Sequence, residues 1–381
     1  MSAPVRPAPP LLICSKSAWR PAIRREHSLA KLAAAEGHAV TFIERPLDIR
    51  SLRSRSTARA WWRGMRGATG PAPGSPGVEL VAHATFLPGH LNGLGERTGN
   101  LLLARQLARA PEDAAVVVNV PWQWPATSAH RGRRVFDCAD DWGALMGHRS
   151  ERVSELYGQI GREADAVIVV NRSLAQEFAP APTVLVRNGV SDDMLGPLTP
   201  APDAPRLVHT GTLTARFDCG LAARLLDALP EWTLDLYGQC QYPGCGDRPA
   251  PELADLLSAY AGRVRWHGVF PREALAATID AAAVALILNR PERSLGQDSM
   301  KLYDYAARGR PIVSTRFSPE LEQDGPPNLY IADHAQAMAD AILRSRAEPE
   351  GWPAQRRAWA REQRWQARWP AWSAAVFGAD A

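Results

Sequence analysis

Twice along this chain, short β-branched runs alternate with helical stretches, and between the two blocks lies a segment that can be neither. That segment is Gly196-Pro197-Leu198-Thr199-Pro200-Ala201-Pro202-Asp203-Ala204-Pro205. Its prolines fix φ and remove backbone donors, so neither a helix nor a central strand runs through it. The first block opens with the apolar run Leu11–Cys14, a helical stretch Arg24–Glu36 that ends at Gly37, and a second run Ala39–Glu44. Leu29, Leu32 and Ala33 fall at helical spacing inside the stretch. A strand, a helix and a strand in succession favour a parallel sheet with right-handed crossovers. Strand-like runs recur at 78–81, 115–120, 135–138, 166–170 and 183–186, separated by helical runs at 100–110, 151–164 and 173–178. The second block repeats the alternation, with strands expected at 207–210, 233–237, 264–266, 284–288, 312–314 and 329–331. A chain of 381 residues exceeds one typical core, and two α/β domains of roughly 150 to 200 residues each accommodate it. The expected organisation is a domain over 1–195, a linker over 196–206, a second domain over 207–350 and a tail over 351–381.

Composition narrows the setting. Apolar residues make up 46% of the chain, a globular value, and no apolar run is long enough to span a bilayer. Met1–Pro10 is proline-rich, and the apolar run after it is too short for a signal peptide. Five cysteines, an odd number spread from Cys14 to Cys245, predict a reducing compartment without a disulfide framework, hence the cytoplasm. The net charge of +4 is unevenly distributed, with Arg50, Arg53, Arg55, Arg59, Arg63 and Arg66 in one stretch. Arg356, Arg357, Arg361, Arg364 and Arg368 form a second patch in the tail. Anionic headgroups, an acidic acceptor, nucleic acid or plain solvent all suit such patches. Residues 45–77 read as a mobile excursion carrying a short amphipathic helix around Ala58–Met65. Its Trp61-Trp62 pair fits either docking on a membrane or lipid-linked acceptor, or packing back onto the domain. In the tail, Trp352, Trp359, Trp365, Trp369 and Trp372 recur at helical spacings and form one aromatic face.

Chemistry concentrates in the stretch 299–315. Ser299 is an N-cap candidate, and Leu302, Tyr305 and Ala306 share one helical face. Gly309 suits the left-handed position after the last turn, and Pro311 stops the helix from resuming before the strand at Ile312-Val313. A helix N-terminus with Lys301 beside it can hold a diphosphate, and Asp304, about one turn on, can accept hydrogen bonds from ribose hydroxyls. The same two residues also read as an i,i+3 surface ion pair. Gly211-Thr212-Leu213 directly follows the first strand of the second block, where a glycine lets backbone N–H groups approach a phosphate. The loop after the very first strand holds Ser15, Lys16, Ser17, Trp19 and Arg20 without the Gly-x-Gly-x-x-Gly of a dinucleotide site. Asp137, Asp140 and Asp141 end a strand together, and carboxylates there are costly to bury unless hydrogen-bonded or used. Asp141 also reads as the N-cap of the next helix. His27 lies inside the first helix, where a lone histidine is usually structural. Cys240 and Cys245 with His267 lack a second ligand pair, so no metal site is expected.

The run from Lys301 to Thr315 resembles the donor-site signature of GT-B glycosyltransferases, above all the retaining group called glycosyltransferase family 4. In that family an acidic residue five positions before the glycine of a Gly-x-Pro run binds the ribose of the sugar nucleotide. Asp304 stands at this position, as Asp instead of Glu. A second family Glu, eight residues earlier, is replaced by Gly296, leaving Gln297, Asp298 and Glu292 as substitutes. Gly211-Thr212-Leu213 is similar to the Gly-x-Leu that opens the donor domain, and Arg187-Asn188-Gly189-Val190 to the Pro-Asn-Gly-Val closing the first domain. Ala164–Val169 looks like the family's Ala-Asp-Ala-Val strand, and Asp137-x-x-Asp140-Asp141-Trp142 resembles bacterial transferases of teichuronic acid synthesis.

The resemblance implies two doubly wound parallel-sheet (Rossmann-like) domains, with tail helices crossing back to the first. It implies transfer of a sugar from a nucleoside diphosphate to a polysaccharide, lipid-linked or small-molecule acceptor, with retention, and neither metal nor cofactor. Donor contacts then fall to Gly211, Thr212, Leu213, Arg216, Ser299, Met300, Lys301, Leu302 and Asp304, with Lys301 and Arg216 on the diphosphate. Asp140, Asp141 and His27 are the catalytic candidates on the acceptor side. A sugar-nucleotide epimerase shares the fold and remains the alternative. Peripheral contact with the inner face of a membrane stays open, and a basic nucleic-acid-binding protein ranks last for want of a recognised motif.

Overall fold

The computed structural model describes residues 8–19, 24–53, 55–89, 92–242, 245, 248–294 and 296–378. The chain divides into two compact units, Met1–Arg187 with Arg368–Ala381, and Asn188–Ala367. Arg20, from the loop after the first strand, lies outside the described residues.

The first unit is built on an eight-stranded sheet. Its strands are β1 (Leu11–Cys14), β2 (Val40–Ile43), β3 (Thr69–Pro71), β4 (Val78–Val81), β5 (Ala115–Val118), β6 (Arg134–Cys138), β7 (Ala166–Val169) and β8 (Thr183–Leu185). They lie in the order β3-β4-β2-β1-β5-β6-β7-β8, all parallel except β3, which runs antiparallel to β4 at the edge. β1 sits centrally, with Leu11 opposite both Val40 and Ala115. β1, β5 and β7 are buried along their whole length, which is why they read as continuous apolar runs without alternation. Helices 25–35, 93–107 and 150–163 lie between the strands.

Residues 45–77 are more ordered than the excursion expected from their composition. They form a 3-10 turn (Ile49–Arg53), a helix (Arg55–Met65) and the edge strand β3. Thr69–Pro71 carries a glycine and a proline, tolerable in a strand only at an edge.

The second unit holds a fully parallel six-stranded sheet. Its strands are β9 (Arg206–Thr210), β10 (Thr233–Tyr237), β11 (Val264–Trp266), β12 (Val284–Ile287), β13 (Ile312–Ser314) and β14 (Leu329–Ile331), in the order β11-β10-β9-β12-β13-β14. This is the 3-2-1-4-5-6 order of doubly wound sheets, and the direction of winding reverses between β9 and β12. The first unit shows the same reversal between β1 and β5.

The helix Met300–Ala307 enters from the β12 side and stops as its sequence demands. Gly309 takes φ +64°, its N–H bonds to Ala306 O at 2.9 Å, and the Arg310 N–H bonds to Tyr305 O at 3.2 Å. Together these form a Schellman cap, and Pro311 then turns the chain into β13.

The proline-rich segment 196–205 is not a loose connection. Arg308, buried, donates to Met194 O at 3.1 Å and Pro197 O at 2.8 Å, and Arg310 donates to Thr199 Oγ1 and Asp280 O, both at 2.9 Å. The segment groups with the second unit, whose boundary falls at Asn188, ahead of the expected 195. The tail also divides differently from expectation. The helix Trp352–Glu362 groups with the second unit, where Trp359 stacks on Tyr303 at 5.3 Å. From Arg368 onward the last helix, Trp365–Phe377, groups with the first unit. Its Trp372 is buried and its Phe377 stacks on His38 at 4.0 Å.

Candidate functional site

In open α/β sheets ligands bind beyond the carboxyl ends of the strands, at the point where winding reverses. In the second unit this point lies between β9 and β12, which pair in parallel with Val284 opposite Leu207 and Ala285 opposite Val208. Gly211 follows β9 with φ +101°, and its N–H bonds to Tyr237 O at 2.8 Å. Gly238 follows β10 with φ +142°, so close that a Cβ there would stand 2.0 Å from Gly211 O. Both positions need glycine for their positive φ, and at Gly238 the neighbouring backbone leaves no room for a side chain either. Farther along, the Arg290 N–H donates to Arg216 O at 2.7 Å and the Asp218 N–H to Leu288 O at 3.0 Å, tying the β9 and β12 loops together.

The helix Met300–Ala307 presents its first turn to this loop. Ser299 occupies the N-cap with an extended backbone, but its side chain makes no capping hydrogen bond. Lys301 lies across Gly211, where an added Cβ would stand 2.9 Å from Lys301 Cε and 3.1 Å from Nζ. Tyr305, one turn on, receives the Thr210 N–H on its hydroxyl at 2.8 Å, which pins the helix to the end of β9. Burial and the Lys301 charge together push the His209 imidazole far below its ordinary pKa, so this ring beneath the loop is neutral.

Asp304 is buried one turn beyond Lys301. Arg272 Nη1 lies 3.5 Å from Asp304 Oδ2, while Arg272 Nε donates to Asp193 Oδ2 at 3.1 Å. Burial raises the Asp304 pKa above its ordinary value, and the Arg272 guanidinium offsets only part of that effect. The carboxylate is therefore costly to hold and readily takes a polar partner.

The remaining donor-side candidates divide by side chain. The Leu213 and Leu302 side chains are buried in two apolar cores and so do not reach a ligand. Thr212 and Met300 are half-buried. The Arg216 N–H bonds to Thr214 Oγ1 at 3.2 Å. Of the substitutes for the missing second Glu, Asp298 accepts from Tyr303 Oη at 2.8 Å and from the Asn188 N–H at 2.5 Å, and Glu292 is exposed.

The acidic run of the first unit separates into three environments. Asp137 is buried, accepts from Arg25 Nε at 3.0 Å on both oxygens and from Trp372 Nε1 at 3.1 Å. Asp141 caps the short helix Trp142–Leu145 by accepting from the Ala144 N–H at 3.0 Å. Asp140 reaches Lys16 Nζ at 2.6 Å, beyond the carboxyl end of β1. Nearby, the buried Glu26 bonds to Ser17; burial alone would raise its pKa, but Lys16, His27, Ser17 and Arg24 outweigh it and hold the carboxyl below its usual value.

His27 is buried with both ring nitrogens engaged. Nδ1 accepts from the Arg24 N–H at 2.9 Å, and Nε2 lies 3.0 Å from Ala18 O, which makes it the protonated nitrogen. Burial lowers its pKa, so it is a neutral cap of the helix Arg25–Ala35, stacked on Phe42.

Two residues escaped sequence reasoning. Gly238 follows its strand as Gly211 does, so the rule applied to one would have found the other. Arg272 carried no signal, because nothing local links it to Asp304.

Residues 204–347 match the family described as group 1 glycosyl transferases. The fold is shared with sucrose-phosphate synthase from Thermosynechococcus elongatus, at 18% identity and TM-score 0.70, covering 96% of this chain and 97% of that one. It is shared with a UDP-forming α,α-trehalose-phosphate synthase from Burkholderia vietnamiensis, at 13% identity and TM-score 0.67, covering 97% of each chain. Anabaena HepE, solved with UDP and glucose, aligns at 17% identity and TM-score 0.63 over 94% of this chain and 96% of its own. No curated protein matches the chain. Residues 204–347 thus form a domain matching the group 1 glycosyl transferases, and the two doubly wound parallel sheets give the chain the fold of the GT-B enzymes it aligns with.

Proposed function

We propose that this enzyme moves a sugar from a nucleoside diphosphate to a glycan, lipid-linked or small-molecule acceptor, with retention and without a divalent metal. The observation that carries the reading is Lys301 lying against Gly211 at the winding reversal of the second unit. A diphosphate placed there meets backbone N–H groups, the open first turn of a helix and an ammonium, all of which stabilise the charge that develops on the leaving group. Asp304 takes the ribose hydroxyls, with Arg272 holding its carboxylate in place. Ser299, Met300, Thr212 and Arg216 complete the donor side, while Leu213 and Leu302 contribute backbone. On the acceptor side Asp140 is favoured over Asp141 and His27, because the latter two are engaged as helix caps.

UDP in the names of the trehalose-phosphate synthase and of the HepE complex supports uridine diphosphate sugars as the first donors to try. A thermal-shift screen against a panel of sugar nucleotides tests the reading, since ligand binding raises apparent stability by mass action. A rise of several degrees with one donor class is expected, along with nucleotide release only when an acceptor is present. Nucleotide release without acceptor, or epimerised donor, would instead favour an epimerase. No stabilisation by any sugar nucleotide would overturn the donor site.

A further inference from the structure

The helix Arg55–Met65 divides the tryptophan pair between core and surface. Trp61 is 3% exposed and its Nε1 donates to Thr85 O at 2.9 Å, whereas Trp62 is 57% exposed. Gly64 seats the same inner face so tightly that a Cβ would stand 2.7 Å from Ala84 Cβ. With 61 and 64 turned inward, 55, 59, 62 and 66 form a single outer ridge at i, i+4, i+7 and i+11. This ridge reads Arg55, Arg59, Trp62 and Arg66, with Arg63 beside it, and all five side chains are exposed. None of these four arginines makes an ion pair among the described residues, and no acidic residue occurs between Ile49 and Arg66.

Apolar surface continues off the ridge. Phe86 is 50% exposed and packs edge-on against Trp61 at 5.8 Å. The Ile49 N–H donates to Phe86 O at 3.2 Å, which brings the exposed Ile49 and the turn carrying the exposed Leu52 to the same place. Three segments (the 3-10 turn, the helix and the loop after β4) thus offer one face of aromatic and aliphatic side chains interleaved with arginines.

We propose that this face docks on the surface of an anionic lipid bilayer. The arginines complement lipid phosphates, while Trp62 and Phe86 enter the boundary between headgroups and acyl chains. Nucleic acid fits less well, because the aliphatic Ile49 and Leu52 have nothing to stack on there. The inference rests on the surface of the first unit alone and stands apart from the donor-site reading.

The test is co-sedimentation of the full chain with phosphatidylcholine vesicles containing about 30% phosphatidylglycerol, against vesicles of phosphatidylcholine alone. Wild type should bind the anionic vesicles about tenfold or more tightly than the neutral ones, with affinity falling as salt rises. Arg59→Glu with Arg63→Glu should lose that binding while keeping the wild-type melting temperature. Trp62→Ser with Phe86→Ser should weaken it and leave only a salt-sensitive remainder. Absence of binding by folded wild type, equal binding by the charge-reversed variant, or tighter binding to single-stranded nucleic acid than to the vesicles would each overturn the proposal.

Discussion

Lys301 and Gly211 touch although ninety residues of chain separate them. The lysine stem occupies the space where a side chain at 211 would begin, 2.9 Å from that Cβ position. A side chain at 211 would therefore displace the end of Lys301.

Gly211→Ala therefore meets two obstacles, a φ of +101° that alanine resists and the Lys301 stem itself. The expected result is a donor kcat/KM lowered roughly tenfold and a stability loss of about 1–2 kcal/mol. Steady-state kinetics with the donor from the thermal screen, beside denaturant unfolding, measures both. Wild-type kinetics would show that the loop does not carry the phosphates.

Lys301→Ala removes the ammonium while leaving the glycine loop free to relax. Turnover should fall about a hundredfold, with donor KM changing less, as expected for a group that stabilises a leaving diphosphate. An increase in KM alone would make Lys301 a binding group without a part in the transition state.

Asp304→Ala should weaken donor affinity about tenfold, measured by calorimetry with the nucleotide alone. Because burial holds the Asp304 pKa above its ordinary value, the carboxylate begins to protonate sooner than an exposed one as pH falls. Donor affinity should accordingly be full at neutral pH and begin to decline above the usual carboxylate range. Arg272 lowers that pKa, so Arg272→Ala moves the decline to higher pH. Identical pH profiles in wild type and Arg272→Ala would separate the two side chains.

His83 predicts a different pH dependence, one of stability. It is buried behind the helix Arg55–Met65 with Nδ1 lacking a hydrogen-bond partner, and burial takes its pKa from 6.5 to about 4. A histidine depressed in this way is neutral in the fold and gains a proton on unfolding. Its contribution is complete above the ordinary imidazole pKa and is lost as pH falls below it, by about 2 kcal/mol between pH 7 and pH 5. Unfolding of His83→Gln should show a shallower acid dependence than wild type. Parallel curves would rule His83 out as the source.

The sheets were legible because their strands are short runs rich in β-branched and aliphatic residues, unbroken in β1, β5, β7 and β12, and thirteen of the fourteen strands among the described residues fall where such runs were expected. The exception, β3, is an edge strand of three residues with Gly70 and Pro71 in it, a composition that reads as loop. The helix before β5 begins at Gly93, well ahead of the periodic residues, because Gly93, Gly95 and Gly99 hide its first turns. Segment 196–205 looked like a linker for its prolines, yet Pro197 and Pro200 offer carbonyls without competing donors, which suits the arginines at 308 and 310. Of the proposed donor residues, Asp304, Lys301 and Gly211 could be named from the sequence because each sits at a recognisable offset from a strand or a cap. The ion pair between Arg272 and Asp304 could not, since only the fold brings them together. Asp141 fulfilled the capping alternative, and the same acidic run showed no sign that Asp137 would be neutralised by Arg25 from the first helix.

The indole of Trp372 completes the hydrogen bonding of Asp137, a residue translated long before it. During synthesis the opening sheet must wait, with the Arg25–Asp137 pair only partly sealed, until Trp372 has left the ribosome. A fragment stopping at Arg187 would carry all eight described strands of that sheet and still lack its final plug, so the order of manufacture leaves an early-made domain dependent on an indole made long after it.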